Sequence, residues 1–368
     1  MRIRELDGLR GIAVLGVMSE HYIGWMPIPA LRCGWLGVDL FFILSGFLIT
    51  SILLGLRTQE RYFGVFYARR ALRIFPPYFL GLIVYFAVAL AGRQLGSAQL
   101  WLRYIFYYSS LIPSQDPHLT AVPAVLPTVV ILGLAVLWSL SVEEIYYTLW
   151  APVVRWTSQG GFTTLLIAMI AVAPVLRWLM HDARNDELFT FYCRMDGLAY
   201  GSAVALLIDR RRHAPEAWKK IDTLIDRLCW AVLPATILFW VITEGDRHNP
   251  WVTSVGVVLA DLSFALLAHA LIRRTGGAQW WVRMLRARWL RSVGMVSYSL
   301  YLFHFPLRQL AVQIGYRMGL EDRAELAFGL VLGLALSFAV AYGLWYAMES
   351  RILRWKDERV PSPAHPAA

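Results

Sequence analysis

Apolar runs long enough to cross a lipid bilayer recur from one end of this 368-residue chain to the other. A spanning helix needs about 17–25 mainly apolar residues. Such runs occupy 9–27, 35–55, 74–92, 162–179, 192–208, 229–244, 251–272, 292–313 and 325–348. The stretch 101–155 is interrupted by Pro123, Pro127, Glu143 and Glu144 and carries a polar patch, SQDPH, at 114–118; it supplies one further crossing over 136–154. These runs predict an all-α polytopic membrane protein, a bundle of about ten transmembrane helices. Composition excludes the alternatives. Hydrophobic residues make up 58% and charged residues 16% of the chain, against about half and a quarter in soluble proteins, so a soluble domain, disorder and fibrous repeats are all ruled out. Cys33, Cys193 and Cys229 are too few for a disulfide framework or a thiolate metal centre.

The formal charge of +10 would suggest nucleic acid in a soluble protein. Here the Lys and Arg residues gather in short segments between apolar runs, at 56–73, 209–227, 273–291 and after 349. That is the positive-inside pattern, and it implies membrane lipids rather than nucleic acid as surroundings. The segments 93–100, 180–191 and 243–250 are short, and the latter two contain acids. Alternating the two kinds of loop puts both termini and every basic loop on the cytoplasmic side. The N-terminal MRIRELDGLRGIAVLG carries Glu5 and Asp7 ahead of its apolar run and lacks a small-residue cleavage site, so it reads as the lead of a first span. The expected organisation is one membrane domain, 1–349, and a short cytoplasmic tail, 350–368.

Ionisable side chains inside spans are expensive and face a cavity or a partner. They are His21, Asp39, Glu143, Glu144, Arg194, Asp196, His304 and Glu349. Arg10 and His21 are eleven residues apart, which places them on one helix face about 16 Å apart. A histidine there is able to act as a base near neutral pH, or simply to hydrogen-bond a neighbouring helix. Asp39 in GWLGVDLFFILSGFLIT lies near the far end of the second run, at a depth like that of His21, either as a partner or as a helix cap; Gly34, Gly37 and Gly46 permit close helix approach. In FYARRALRIFPPY, Arg70 and Arg73 share a face while Arg69 points elsewhere. Such a pair suits phosphate or carboxylate, or anchors the loop at lipid headgroups. In WSLSVEEIYY, Glu143 and Glu144 are about 100° apart, so one at most enters a site, and Glu143 is preferred. In SYSLYLFHFPL, Tyr298, Tyr301 and His304 stack on one face, and Pro306 deprives the Leu302 carbonyl of its helical donor. Arg194 and Asp196, two residues apart, cannot face each other, and each needs a different partner.

LDGLRGIAVL with its following histidine, GVDLFFILSGFLIT, YARRALRIFPPY, LWSLSVEE, RMDGLAYG and SYSLYLFHFPL, in that order over residues 4–349, resemble the acyltransferase 3 family of integral membrane acyltransferases. The resemblance implies transfer of an acyl group, commonly acetyl, from cytoplasmic acyl-CoA to a hydroxyl of an extracytoplasmic or lipid-linked glycan at the inner membrane. The family's arginine–ten residues–histidine motif falls on Arg10 and His21, its Arg-x-x-Arg motif on Arg70 and Arg73, and its acidic position on Glu143 or Glu144. Where the family closes with acid–x–proline, this chain reads Glu349-Ser350-Arg351, and the apolar stretch 119–137 before WSL is longer than the family's. The absence of a hydrolase-like continuation implies the stand-alone form.

On this reading Arg70, Arg73 and Arg10 bind the phosphates of acyl-CoA. His21 is the general base, oriented by Asp39 or Glu143. Tyr301, His304 and Glu144 are candidates for substrate or oxyanion contacts. Ser45, Ser139 and Ser141 are all open as transient acyl carriers, no metal is implied, and no segment specifies an oligomeric state. The rival is a proton-coupled transporter or flippase of a glycan or small molecule, against which stands the lack of a duplicated half.

Overall fold

A computed structural model describes residues 3–24, 26, 28, 32–93, 95–111, 128–181 and 186–360 of the chain. Among the described residues all regular structure is helical. The helices are α1 (Arg4–Ile23), α2 (Leu36–Leu56), α3 (Tyr62–Ala91), α4 (Ala98–Ile105), α5 (Thr128–Ala135), α6 (Trp138–Trp156), α7 (Gln159–Met180), α8 (Phe191–His213), α9 (Pro215–Ile242), α10 (Val257–Arg273), α11 (Trp280–Leu285), α12 (Arg288–Met295), α13 (Ser297–Arg317), α14 (Asp322–Leu344) and α15 (Ser350–Arg359). Single π-helical turns precede α10 (Val252–Gly256) and join α14 to α15 (Trp345–Glu349).

Seven helical stretches among the described residues are long and apolar enough to cross a membrane: Leu36–Leu56, Tyr62–Ala91, Thr128–Trp156, Gln159–Met180, Pro215–Ile242, Val252–Arg273 and Arg323–Arg359. The helices α1, α8 and α13, of 20, 23 and 21 residues, are long enough but more polar. They carry Arg10 and His21, Arg194 and Asp196, and Tyr301 and His304. The two histidines therefore sit on the less lipid-like helices, whereas Asp39, Arg70, Arg73, Glu143 and Glu144 sit on three of the seven apolar ones.

Several boundaries differ from the sequence expectation. The third span, expected over 74–92, begins at Tyr62, so the basic segment 62–73 is its first part and Pro76 and Pro77 lie inside the helix. The expected loop 209–227 is two helix ends meeting at Ala214, with Pro215 opening the next helix. The segment 273–291 holds α11 and the first half of α12, and the tail is helical to Arg359. The SQDPH patch, Pro123 and Pro127 lie outside the described residues.

Prolines within helices leave the carbonyl four residues earlier without its helical donor, and in lipid that group must be satisfied by protein. Two tyrosines do this. The Tyr85 hydroxyl donates to the Leu302 carbonyl released by Pro306, at 2.9 Å. The Tyr67 hydroxyl donates to the Thr148 carbonyl released by Pro152, at 3.0 Å. Both helices run on through their prolines for this reason.

Small residues let α1, α2 and α8 meet backbone to backbone. A Cβ on Gly37 would strike the Ala13 carbonyl, and one on Gly46 the Leu198 carbonyl. On the other flank, Gly8 and Gly294 press α1 against α11 and α12. That contact starts α13 well along α1, so His304, early in α13, comes level with His21, near the end of α1.

Candidate active site

Two polar clusters lie at different depths along α1. The first is a cavity of about 80 Å³ lined by Arg10 of α1, Ser45 of α2, Arg70 and Arg73 of α3, Ser139 and Glu143 of α6, and Tyr298 and Tyr301 of α13. The spacing of Arg70 and Arg73 thus brings them to Arg10, while Arg69 turns away to Asp357, 2.6 Å, and the Val360 carbonyl, 2.8 Å. Glu143 is held by two hydroxyls: Ser45 donates to Oε1 at 2.7 Å and Tyr147 to Oε2 at 2.8 Å. The Arg70 guanidinium lies 4.1 Å above the Tyr147 ring. Three guanidiniums and the Glu143 carboxylate line the cavity, and Asp7, Glu144 and Glu349 lie near enough to act on the same arginines from beyond its lining. Glu144 does not line it, and its Oε1 is buried without a hydrogen-bond partner among the described residues. Beside the cavity, the π-turn at 345–349 points Glu349 into a small pocket shared with Arg73, where Ser299 donates to Oε1 at 2.6 Å.

The second cluster is a pair of imidazoles. Nδ1 of His21 lies 2.6 Å from Nε2 of His304, and Nδ1 of His304 faces the carbonyls of Leu300 and Tyr301 at 3.0 and 2.9 Å. Carbonyls only accept, so His304 Nδ1 carries a hydrogen and its Nε2 presents a lone pair. His21 must then donate from Nδ1, which leaves its own Nε2 as the unprotonated nitrogen. His304 is fully buried, and His21, half-buried, stacks on Phe305 with ring centroids 4.2 Å apart. Tyr22 locks this end by donating to the His304 carbonyl at 3.1 Å and meeting Ser337 at 2.9 Å.

Tyr301 stands between the clusters. Its hydroxyl meets Ser139 at 2.7 Å in the cavity wall, and its ring lies 6.1 Å from that of His304. His21 and His304 are not part of the cavity lining.

The two orienting partners expected for His21, Asp39 and Glu143, both meet other groups. Asp39 faces α8, which packs along α2, and its Oδ1 accepts from Arg194 Nη2 at 2.6 Å with both side chains buried. Glu143 belongs to the arginine cavity. His304 is the hydrogen-bond partner of His21 Nδ1, and both of its own nitrogens are engaged. Asp196 pairs with Arg177 through 2.9 and 2.7 Å bonds, so it and Arg194 do find different partners. Asp261, fully buried, completes this group with neither oxygen hydrogen-bonded among the described residues. Arg177 and Asp261 sit inside the apolar runs 162–179 and 251–272, and the rule that picks out Asp196 applies equally to them. Of the three candidate carriers, Ser45 and Ser139 line the cavity; Ser141 is buried against Ser110 and the Tyr107 carbonyl. Among the described residues no group of three or more His, Cys, Asp or Glu is placed to hold a metal.

The fold and these clusters define a multi-pass membrane protein that holds an arginine-lined cavity and a hydrogen-bonded histidine pair within one helical bundle. The chain belongs to the acyltransferase 3 family, whose acyltransferase domain matches residues 3–346. Among curated proteins it is similar to YrhL of Bacillus subtilis, at 26% identity over 335 residues, 85% of this chain and 49% of that protein. It is also similar to the O-acetyltransferase OatA of Staphylococcus aureus, at 29% over 319 residues, 82% of this chain and 50% of that protein. A third relative is the peptidoglycan O-acetyltransferase OatA of Listeria monocytogenes, at 24% over 340 residues, 85% of this chain and 50% of that protein. The chain therefore spans about half the length of the curated relatives it matches. No solved structure matches it.

Proposed function

We propose that the chain is a membrane O-acyltransferase that moves an acyl group, acetyl in the first instance, from acyl-CoA to a hydroxyl of a cell-envelope carbohydrate. The observation that carries this reading is the hydrogen-bond chain from the Leu300 and Tyr301 carbonyls through His304 to His21, which leaves His21 Nε2 as a positioned base. The names of the relatives favour acetyl as the acyl group and a glycan such as peptidoglycan as the acceptor.

In this scheme Arg10, Arg70 and Arg73 take the phosphates of the donor at the inner end. A cavity of about 80 Å³ is far below the roughly 300–1,000 Å³ of a pocket that encloses a drug-sized ligand. The proposed occupant is the slender pantetheine arm, with the phosphates at the lining arginines and the adenosine outside. The thioester meets His21 once the Tyr301–Ser139 contact opens. His21 Nε2 takes the acceptor hydroxyl proton as oxygen bonds to the acyl carbon; the carbon–sulfur bond breaks, and the thiolate leaves with the proton returned by the imidazolium. The products are the ester and free coenzyme A. Glu143 fixes the cavity charge rather than the base.

The topology proposed with this chemistry has ten spans, the seven apolar ones together with α1, α8 and α13. Both termini and the arginine cavity lie on the cytoplasmic side of the inner membrane, and His21 lies toward the opposite face. The domain limits remain 1–349, with 350–368 as a cytoplasmic tail.

Membranes containing the protein, incubated with labelled acetyl-CoA, are expected to place base-labile label on envelope glycans. His21→Ala is expected to lower the rate by about 10²–10⁴-fold at unchanged protein level in the membrane. Undiminished transfer by that variant overturns the assignment.

A further inference from the structure

At the far end of the bundle from the arginine cavity, His21 is flanked by two more guanidiniums, and they are not equivalent. Arg247, in the connection before α10, pairs with Glu20 at 3.2 Å, the residue preceding His21. Arg308 lies four residues after His304, hence on the same face of α13. It is half-buried, with its guanidinium carbon 5.9 Å from the Tyr22 ring centroid, at the limit of a cation–π contact. Among the described residues no carboxylate lies within ion-pair distance of Arg308. Both arginines are close enough to His21 to be among the charges that act on its ring. Around the imidazole, two cations and one carboxylate leave a net single positive charge, and Arg308 is the unmatched one.

A half-buried guanidinium without a partner gives up hydration and gains no ion pair, so stability of the fold does not explain it. Its forked donors suit a carboxylate or phosphate. We propose that Arg308 is an acceptor-binding residue: the glycan acylated at His21 carries an anionic group, a carboxylate or phosphate, close to the hydroxyl that reacts, and Arg308 holds it there. The inference rests on the acyltransferase reading above and adds the charge class of the acceptor. It also gives the two basic clusters distinct duties, donor phosphates at Arg10, Arg70 and Arg73 and acceptor anion at Arg308.

The test uses the full chain in proteoliposomes, supplied with labelled acetyl-CoA and glycans extracted from the host envelope. The labelled product is expected to bind an anion exchanger after its lipid is removed. Arg308→Gln is expected to raise the acceptor KM by about 10- to 100-fold, the worth of a hydrogen bond to a charged group, with the KM for acetyl-CoA unchanged; Arg308→Lys recovers part. A neutral labelled product, or an Arg308→Gln enzyme with the parental acceptor KM, overturns the proposal while leaving acyl transfer intact. Loss of all transfer by the parent protein instead overturns the acyltransferase reading. Liposomes of phosphatidylcholine alone are compared with liposomes containing phosphatidylglycerol. If the parent needs the anionic lipid and Arg308→Gln abolishes that need, Arg308 binds a headgroup and the proposal fails.

Discussion

Because a carbonyl oxygen can only accept, the protonation of both imidazoles follows from the backbone of α13: Leu300 and Tyr301 fix His304, and His304 fixes His21. An acceptor for His21 Nδ1–H is thus what the site needs from position 304, and two substitutions separate that role from packing. His304→Phe fills the volume without an acceptor and is expected to lower kcat by about 10²–10⁴-fold, the scale of general-base help. His304→Gln offers an amide oxygen in a similar place and is expected to recover a measurable part. Steady-state kinetics should find the KM for acetyl-CoA unchanged in both. Equal kcat for the Phe variant and the parent would remove His304 from the mechanism. Much of this site was legible from spacing within helices: Arg70 with Arg73, and Tyr301 one turn from His304, share faces as the 3.6-residue period requires. The partner of His21 was not, because it lies 283 residues away and is chosen by how α13 is pressed along α1. Depth alone offers Asp39 as one of two partners for His21, and depth does not say which neighbouring helix a side chain faces.

The elements that enclose the site are tied together by buried charge. Arg177 of α7 grips Asp196 of α8 with two hydrogen bonds and the Cys193 carbonyl at 2.5 Å, while Arg194 of α8 holds Asp39 of α2. With Arg177 at 0% and Asp196 at 1% side-chain exposure, removing one partner strands the other away from water, a loss of about 3–5 kcal/mol. Asp196→Ala is therefore expected to melt well below the parent in detergent. Replacing both, as Arg177→Met with Asp196→Leu, should return most of the stability, because buried pairs are often exchangeable for apolar residues. A single variant as stable as the parent would mean that the pair contributes nothing to the packing of α7 on α8. Each apolar run of the sequence falls on a helix, seven of them in stretches long and apolar enough to cross a membrane among the described residues. Most helix ends lie within about five residues of the hydropathy limits. The largest departures include the starts of α3 and α9, which come earlier than expected because basic residues are good helix formers outside the apolar core. The others are the start at Thr128 ahead of α6 and the helical continuation past 348 to Arg359. Hydropathy marks where lipid begins, not where a helix does.

At the scale of the whole molecule, the two basic clusters lie on either side of Tyr301, and they predict opposite kinetic signatures. Arg70 and Arg73 line the cavity with Arg10, and among the described residues neither of them is ion-paired to a carboxylate, so on the proposed reading their forked donors are open to a polyanionic donor. Arg70→Ala combined with Arg73→Ala is expected to raise the KM for acetyl-CoA by about 10-fold or more, since each charged hydrogen bond is worth about 1.5–3 kcal/mol, without changing the acceptor KM. Ionic strength provides the second readout. In the parent the KM for acetyl-CoA should climb with added salt as the phosphate contacts are screened, and in the double variant that dependence should flatten. Arg69→Ala is the control, because Arg69 is spent on Asp357 and the Val360 carbonyl outside the cavity and should leave both KM values alone. If the double variant keeps the parental donor KM and salt response, the arginine pair only anchors its loop to the membrane. The donor would then have to enter elsewhere, and the route past Tyr301 to His21 would lose its starting point.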